Sequence, residues 1–146
     1  MLKILDRYII KSFIASVFYG LLAFTLLFVI IDLMENLDNF IDNDVDFPII
    51  LNYYLVFIPE ILKLMTPVAV LFGGLFTAGK MSNNNELTAI KSSGISIYRF
   101  ILPFLLVCVG ISGLIFYFGG YVVPEANTVK TRIEAEYLKK GEASAI

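Results

Sequence analysis

Residues 13–31 read FIASVFYGLLAFTLLFVII and residues 100–123 read FILPFLLVCVGISGLIFYFGGYVV, and neither stretch holds a charged side chain. As α-helices rising about 1.5 Å per residue, both reach across a hydrocarbon core roughly 30 Å thick. Lipid offers no water to backbone N–H and C=O groups, so runs of this length must pair those groups internally as helices. An all-α integral membrane protein is the class that follows. Composition agrees: 58% of the 146 residues are hydrophobic, against about 45–50% in soluble domains, and the mean hydropathy is +0.82.

Lys3, Arg7 and Lys11 precede the first run, as in a signal peptide. The run nevertheless exceeds an h-region of roughly 7–15 residues, and the acidic segment behind it has no small-x-small cleavage site, so a retained helix is expected. Cys108 is the one cysteine and histidine is missing altogether. An internal disulfide is therefore excluded, as is His/Cys metal or triad chemistry. No nucleophile and base stand at a plausible spacing, so neither a catalytic site nor a cofactor is expected.

The middle span is shorter in its uncharged part, residues 64–78, which would reach only about 22 Å as a helix. It is expected to begin near Pro59 and run over about 59–79, with proline in the first turn, where its missing N–H matters least, and Glu60 beside the positive end of the dipole. Glu60 and Lys63 then form an i, i+3 pair, read either as an interface pair or as the lining of a polar cavity. Pro67 leaves the carbonyl of Lys63 without its donor, which predicts a kink. Residues 49–58, with Tyr53, Tyr54 and Phe57, are expected to lie at the interface or to extend the helix.

Lys and Arg set orientation. They flank the first run and recur as Lys80, Lys91 and Arg99 between the second and third. The segment over residues 32–47 holds six carboxylates, Asp32, Glu35, Asp38, Asp42, Asp44 and Asp46, and no basic residue. The amino terminus and the 80–99 segment are thus expected in the cytoplasm, and the acidic loop and residues 124–146 outside, although that tail mixes four basic residues with acids. Between the second and third spans, Asn83 and Glu86 have capping-box spacing, Leu87 and Ile90 share a face, and Gly94 ends the pattern. This predicts a helix of about two turns over 84–93, too short to be stable alone, which either connects the spans or docks a partner. After residue 123, Pro124 is expected to open an amphipathic helix with a stripe of Ala126, Val129, Ile133 and Tyr137, and with Lys130–Glu134 and Arg132–Glu136 on its other side.

Two motifs fail on inspection. Gly74, Gly79 and Lys80 match the spacing of a phosphate-binding loop, but Met81 replaces the Ser or Thr that magnesium requires and no strand precedes them. Gly73, Gly74, Ala78 and Gly79 read instead as small residues that let helices approach. Asp42, Asp44 and Asp46 imitate half of an EF-hand loop, yet Phe47 and Tyr53 occupy the glycine and glutamate positions. A solvated acidic loop is the expectation, with a loose divalent-cation site as the alternative.

LDRYI at residues 5–9, the long first span with its acidic sequel, the proline-bearing second span closing on GK, the segment NELTAIKSSGIS, and a third span ending in VVPEAN together resemble the lipopolysaccharide-export permeases LptF and LptG, more closely the LptG side. The resemblance covers residues 1–140. It implies six membrane helices, three on each side of an extracytoplasmic β-jelly-roll. This chain corresponds to the first three and the start of the connection outward, without the jelly roll or the last three helices, and reads as a fragment or one half of a split protein.

The resemblance further implies a subunit in the inner membrane that pairs with a paralogous permease, binds a dimer of a cytoplasmic ABC ATPase, and passes lipopolysaccharide toward a single-helix periplasmic bridge component. ATP is hydrolysed by the partner, and nucleic acid has no place in this scheme. The short helix matches a coupling helix seated on the ATPase, with Glu86 as its principal residue, Leu87 and Ile90 as its apolar footing, and Lys91 and Gly94 completing the segment. Asp32, Glu35, Glu60 and Lys63 are candidate contacts to the lipid cavity or to a partner. Where several relatives carry basic residues near the outer end of the first helix, this chain has Asp32 and Glu35. Direct ionic capture of lipid phosphate there is not expected, which leaves metal-bridged contact or recognition by the other subunit. The competing class is a noncatalytic three-helix membrane scaffold, distinguished by whether the reading frame continues into a β-rich domain and three more spans.

Overall fold

A computed structural model describes residues 4–138. Lys3, the residues from 139 onward and the side chain of Tyr137, all invoked above, lie outside the described side chains. The order is α1 (Ile4–Asp42), α2 (Phe47–Asn83), α3 (Glu86–Ser92), α4 (Ile97–Ile133) and a π-helical turn (Glu134–Leu138), with no strand among the described residues. Three of these helices are long and apolar enough to cross a membrane. Within their most apolar windows only 11%, 17% and 6% of residues are buried inside the molecule. An apolar surface of that extent needs lipid or further protein around it, and the protein is a multi-pass membrane protein.

Each long helix outruns the span read from its charge-free core. The acidic segment that the sequence presents as a loop is helical to Asp42, and only residues 43–46 form the connection. That turn is a Schellman motif: the Val45 N–H donates to the Phe40 carbonyl at 3.0 Å and the Asp44 N–H to that of Ile41 at 3.1 Å, while Asp44 takes the left-handed conformation at φ 48. Residues 49–58 extend the helix, one of the two expectations for them, so that α2 begins at Phe47 and Pro48, in place of Pro59, holds the first-turn position. Pro59 therefore lies well inside the helix, which continues across it because Tyr53, Tyr54, Phe57 and Ile61 bury one face on both sides of the gap. Likewise Pro124 opens no new helix but sits within α4.

The chain forms two compact units. One joins α1 up to Ala23, α2 from Met65, α3, and α4 up to Ile115. Its core is a strip of Ile9, Phe13 and Val17 on α1, at helical spacing, against Ala69, Thr77 and Met81 on α2. Phe13 also meets Phe104 of α4, with ring centroids 5.0 Å apart. Gly73 lets the first two helices touch: a methyl group there would stand 2.9 Å from the backbone nitrogen of Val17. Four residues on, the buried Thr77 hydroxyl donates to Ser16 Oγ at 3.1 Å, and Ser16 Oγ donates to the Ser12 carbonyl at 2.9 Å. Thr77→Val keeps the volume and removes the donor, so it should lower stability by about 0.5–1.5 kcal/mol. A slightly earlier thermal transition of the detergent-solubilised protein is the expected result.

The second unit joins the remainder of α1, α2 up to Leu64 and the chain from Phe116. Phe40, Tyr53, Tyr54, Phe57, Ile61 and Val123 are its buried apolar residues. Phe40 lies edge-on to both tyrosines, 6.0 and 6.4 Å between centroids. The core here is largely aromatic, and its hydroxyls seek polar partners.

Candidate functional site

In the first unit the short segment between α2 and α4 is built by residues that accept left-handed backbone. Asn85 stands at φ 59 and ends α2, its N–H donating to the Ser82 carbonyl at 3.1 Å, while its own carbonyl accepts from Ala89 at 3.0 Å to start α3. Asparagine tolerates this region better than other non-glycine residues. At the far end Gly94, at φ +78, donates to the Lys91 carbonyl at 3.1 Å, the stop read from the sequence. The capping box does not form. Asn83 belongs to α2, and the Asn85 cap makes no side-chain bond.

Glu86, freed from capping, is held otherwise. Its Oε1 accepts from Tyr8 Oη at 3.3 Å and from Asn84 Nδ2 at 3.2 Å. Donating to this carboxylate raises the Tyr8 phenol above its ordinary range. Leu87, Ile90 and Lys91 line a cavity of about 200 Å³ with Ile95, Phe100 and Ile101. None of the α3 residues is buried. The expected face of Leu87 and Ile90 is thus real but half-covered, presenting an apolar notch beside a carboxylate.

In the second unit a lysine collects the polar partners. Lys130 Nζ lies 3.6 Å from Glu60 Oε2 and 3.8 Å from Glu134 Oε1, and 3.5 Å from the centroid of the Phe57 ring. Tyr53 Oη donates to Glu134 Oε1 at 3.1 Å, and Tyr54 Oη to Asp32 Oδ2 at 3.0 Å. The sequence pairs Glu60 with Lys63; the structure pairs it with Lys130. Lys63 is exposed and lies along Gly119, where a methyl group would stand 3.2 Å from its Cε. Glu35 is exposed. Asp32 and Glu60 are thus tied inside the unit, whereas Glu35 and Lys63 are available at its surface. Among the described residues no three carboxylate, cysteine or histidine groups stand close enough to hold a metal ion.

Tyr8 and Asn84 make side-chain contacts that the sequence does not single out, and Tyr53 and Tyr54, read there only as interfacial aromatics, bond Glu134 and Asp32. The buried tyrosines had a signal: a phenol within a buried helix face must find a polar partner. Tyr8 had none, because its bond spans 78 positions of sequence.

No solved structure matches this chain. Among characterised proteins it is similar to the lipopolysaccharide export system permease protein LptG of Haemophilus influenzae, with 23% identity over 146 residues, all of this chain and 41% of that relative. The chain therefore spans less than half the length of the relative it matches. The model of the lipopolysaccharide export system permeases LptF/LptG matches residues 7–146. With its three membrane-length helices and the short exposed helix between the second and third, the chain belongs to the LptF/LptG family of lipopolysaccharide export permeases.

Proposed function

We propose that this chain forms the amino-terminal half of a permease subunit in an ATP-driven lipopolysaccharide exporter of the inner membrane. Its amino terminus and α3 face the cytoplasm, and the turn over residues 43–46 faces outward. A paralogous permease is the partner in the membrane, an ABC ATPase dimer docks on α3, and a single-helix periplasmic component receives the lipid. The observation that carries this reading is α3 itself, seven residues long, unburied, and presenting Glu86 beside the notch of Leu87 and Ile90. A helix so short is marginal in water, and packing by a partner on its exposed side would stabilise it. Lys91 and Gly94 complete the docking segment, the first as a cation at the helix end and the second as the stop that turns the chain into α4.

Outside the docking segment, Glu35 and Lys63 are the contacts offered to lipid or partner. Asp32 and Glu60 act at one remove, by fixing Tyr54 and Lys130. The acidic character of this region favours recognition by another subunit over capture of lipid phosphate.

Glu86→Ala in the full-length permease tests the reading. A charged contact buried at an interface is worth about 2 kcal/mol or more, so ATPase affinity should fall about thirtyfold or more and lipid export with it. Undiminished co-purification of the ATPase together with normal export would remove the assignment. Labelling of a cysteine placed at Asn84 only from the cytoplasmic side is the expected topology.

A further inference from the structure

We infer that Tyr8 is a positioning residue, whose phenol orients Glu86 toward the ATPase and fastens the start of α1 to the docking helix. This inference rests on the docking role proposed above. Three ordinary supports are missing from α3: it has only seven residues, it buries none of them, and its cap Asn85 makes no side-chain hydrogen bond. A helix of that length does not hold its own position. What remains is the apolar notch and the pair of donors on Glu86, one from neighbouring Asn84 and one from Tyr8 at the other end of the unit's sequence.

Both donors converge on Oε1. The carboxylate is thereby fixed in rotation, and Oε2 is the oxygen left for a cationic or N–H donor on the ATPase. Preorganisation of this kind adds affinity by lowering the entropy lost on docking. The tie also has a mechanical consequence. The segment of α1 that bears Tyr8 is locked to α2 by the contact of Gly73 with Val17 and by the Thr77–Ser16 hydroxyl bond. A displacement of α3 by the ATPase therefore reaches the first membrane helix through a side chain, besides the covalent route through α2 and α4.

The test is a mutant cycle in the full-length permease–ATPase complex, reading ATPase affinity and lipid exported per ATP for Tyr8→Phe, Glu86→Ala and the double variant. Tyr8→Phe is expected to weaken ATPase binding about three- to tenfold, the range of one ordinary, solvent-exposed hydrogen bond, and to lower export per ATP. In the Glu86→Ala background the same change should do nothing further, because its object is gone. A purely structural tyrosine would instead add its loss in both backgrounds, and that result overturns the inference. Wild-type behaviour of Tyr8→Phe beside a defective Glu86→Ala also overturns it while leaving the docking role intact. If Glu86→Ala is itself without effect, the docking role falls and this inference with it. A Tyr8→Phe protein that accumulates less well than Glu86→Ala likewise counts against it, since losing one donor cannot exceed losing the acceptor of both.

Discussion

Valine in place of Gly73 will prevent accumulation of folded permease, and alanine there will leave a protein destabilised by about 1–3 kcal/mol, the usual consequence of overpacking. The reason lies in what an added Cβ meets. It would stand 2.6 Å from Val17 Cγ2, 2.9 Å from the Val17 nitrogen and 3.1 Å from its Cα. The first contact is with a β-branched side chain that has little rotameric freedom in a helix. The other two are backbone, so relief requires α1 itself to retreat from α2. That retreat would also stretch the Thr77–Ser16 bond, four residues along α2 and on the same face. In lipid, no hydrophobic driving force between helices makes good the lost contact, since the tails are as apolar as the side chains. Gly79 is the control: a methyl there meets nothing within 4 Å, and Gly79→Ala should accumulate like wild type or better, alanine being favoured over glycine by about 0.5–1 kcal/mol in a helix. Yield and thermal transition of the detergent-solubilised full-length protein measure both. Equal tolerance of alanine at 73 and 79 would show that the two helices are not in contact at Gly73.

The membrane-spanning cores were legible because charge exclusion over residues 13–31 and 100–123 is a constraint of the solvent, independent of neighbours. The helix ends were not. Asp and Asn are poor helix formers, so residues 32–42 resemble a loop; what keeps them helical is tertiary, with Phe40 buried against Tyr53 and Tyr54 and Asp32 held by the Tyr54 hydroxyl. Pro59 and Pro124 look like boundaries for the same local reason, yet packing carries both helices through them.

Beyond residue 123 the Lys130–Glu134 pair read from the spacing forms, at 3.8 Å, but the pattern does not show which side of the helix is covered. Ala126, Val129 and Ile133 form one stripe, with Lys130 and Glu134 on the other side of the helix. In the structure Val129 is 40% exposed, whereas the Lys130 side chain is 18% exposed. Lys130 is drawn inward by partners that the local pattern does not show, the Glu60 carboxylate and the Phe57 ring of α2. Of the candidate site, Glu86, Leu87, Ile90 and Gly94 were visible as a local pattern. Their link to Tyr8 was not, since no short-range rule connects positions so far apart.

Lys130→Met should destabilise the unit by about 1–3 kcal/mol, and the sign of its coupling to Glu60 is the informative quantity. Methionine keeps most of the length and apolar bulk of the lysine stem while deleting its charge. Glu60 and Glu134 are then left near one another without their common cation, and Glu60 Oε2 is buried with no hydrogen-bond donor among the described residues, where Lys130 at 3.6 Å is its compensating charge. A fully buried pair broken on one side loses about 3–5 kcal/mol, and an exposed pair about 0–1. Side-chain exposures of 18%, 29% and 33% for Lys130, Glu60 and Glu134 place this cluster between those limits. Loss of the cation over Phe57 adds to the deficit. Adding Glu60→Gln to Lys130→Met removes the stranded charge and should recover part of the stability, although Glu60→Gln alone lowers it. Lys63→Met, at the exposed lysine one turn along α2, should change little. Strict additivity of the Lys130 and Glu60 substitutions in thermal denaturation would mean that the two side chains do not share an ion pair, and that helix α4 is held against α2 by its aromatic contacts alone.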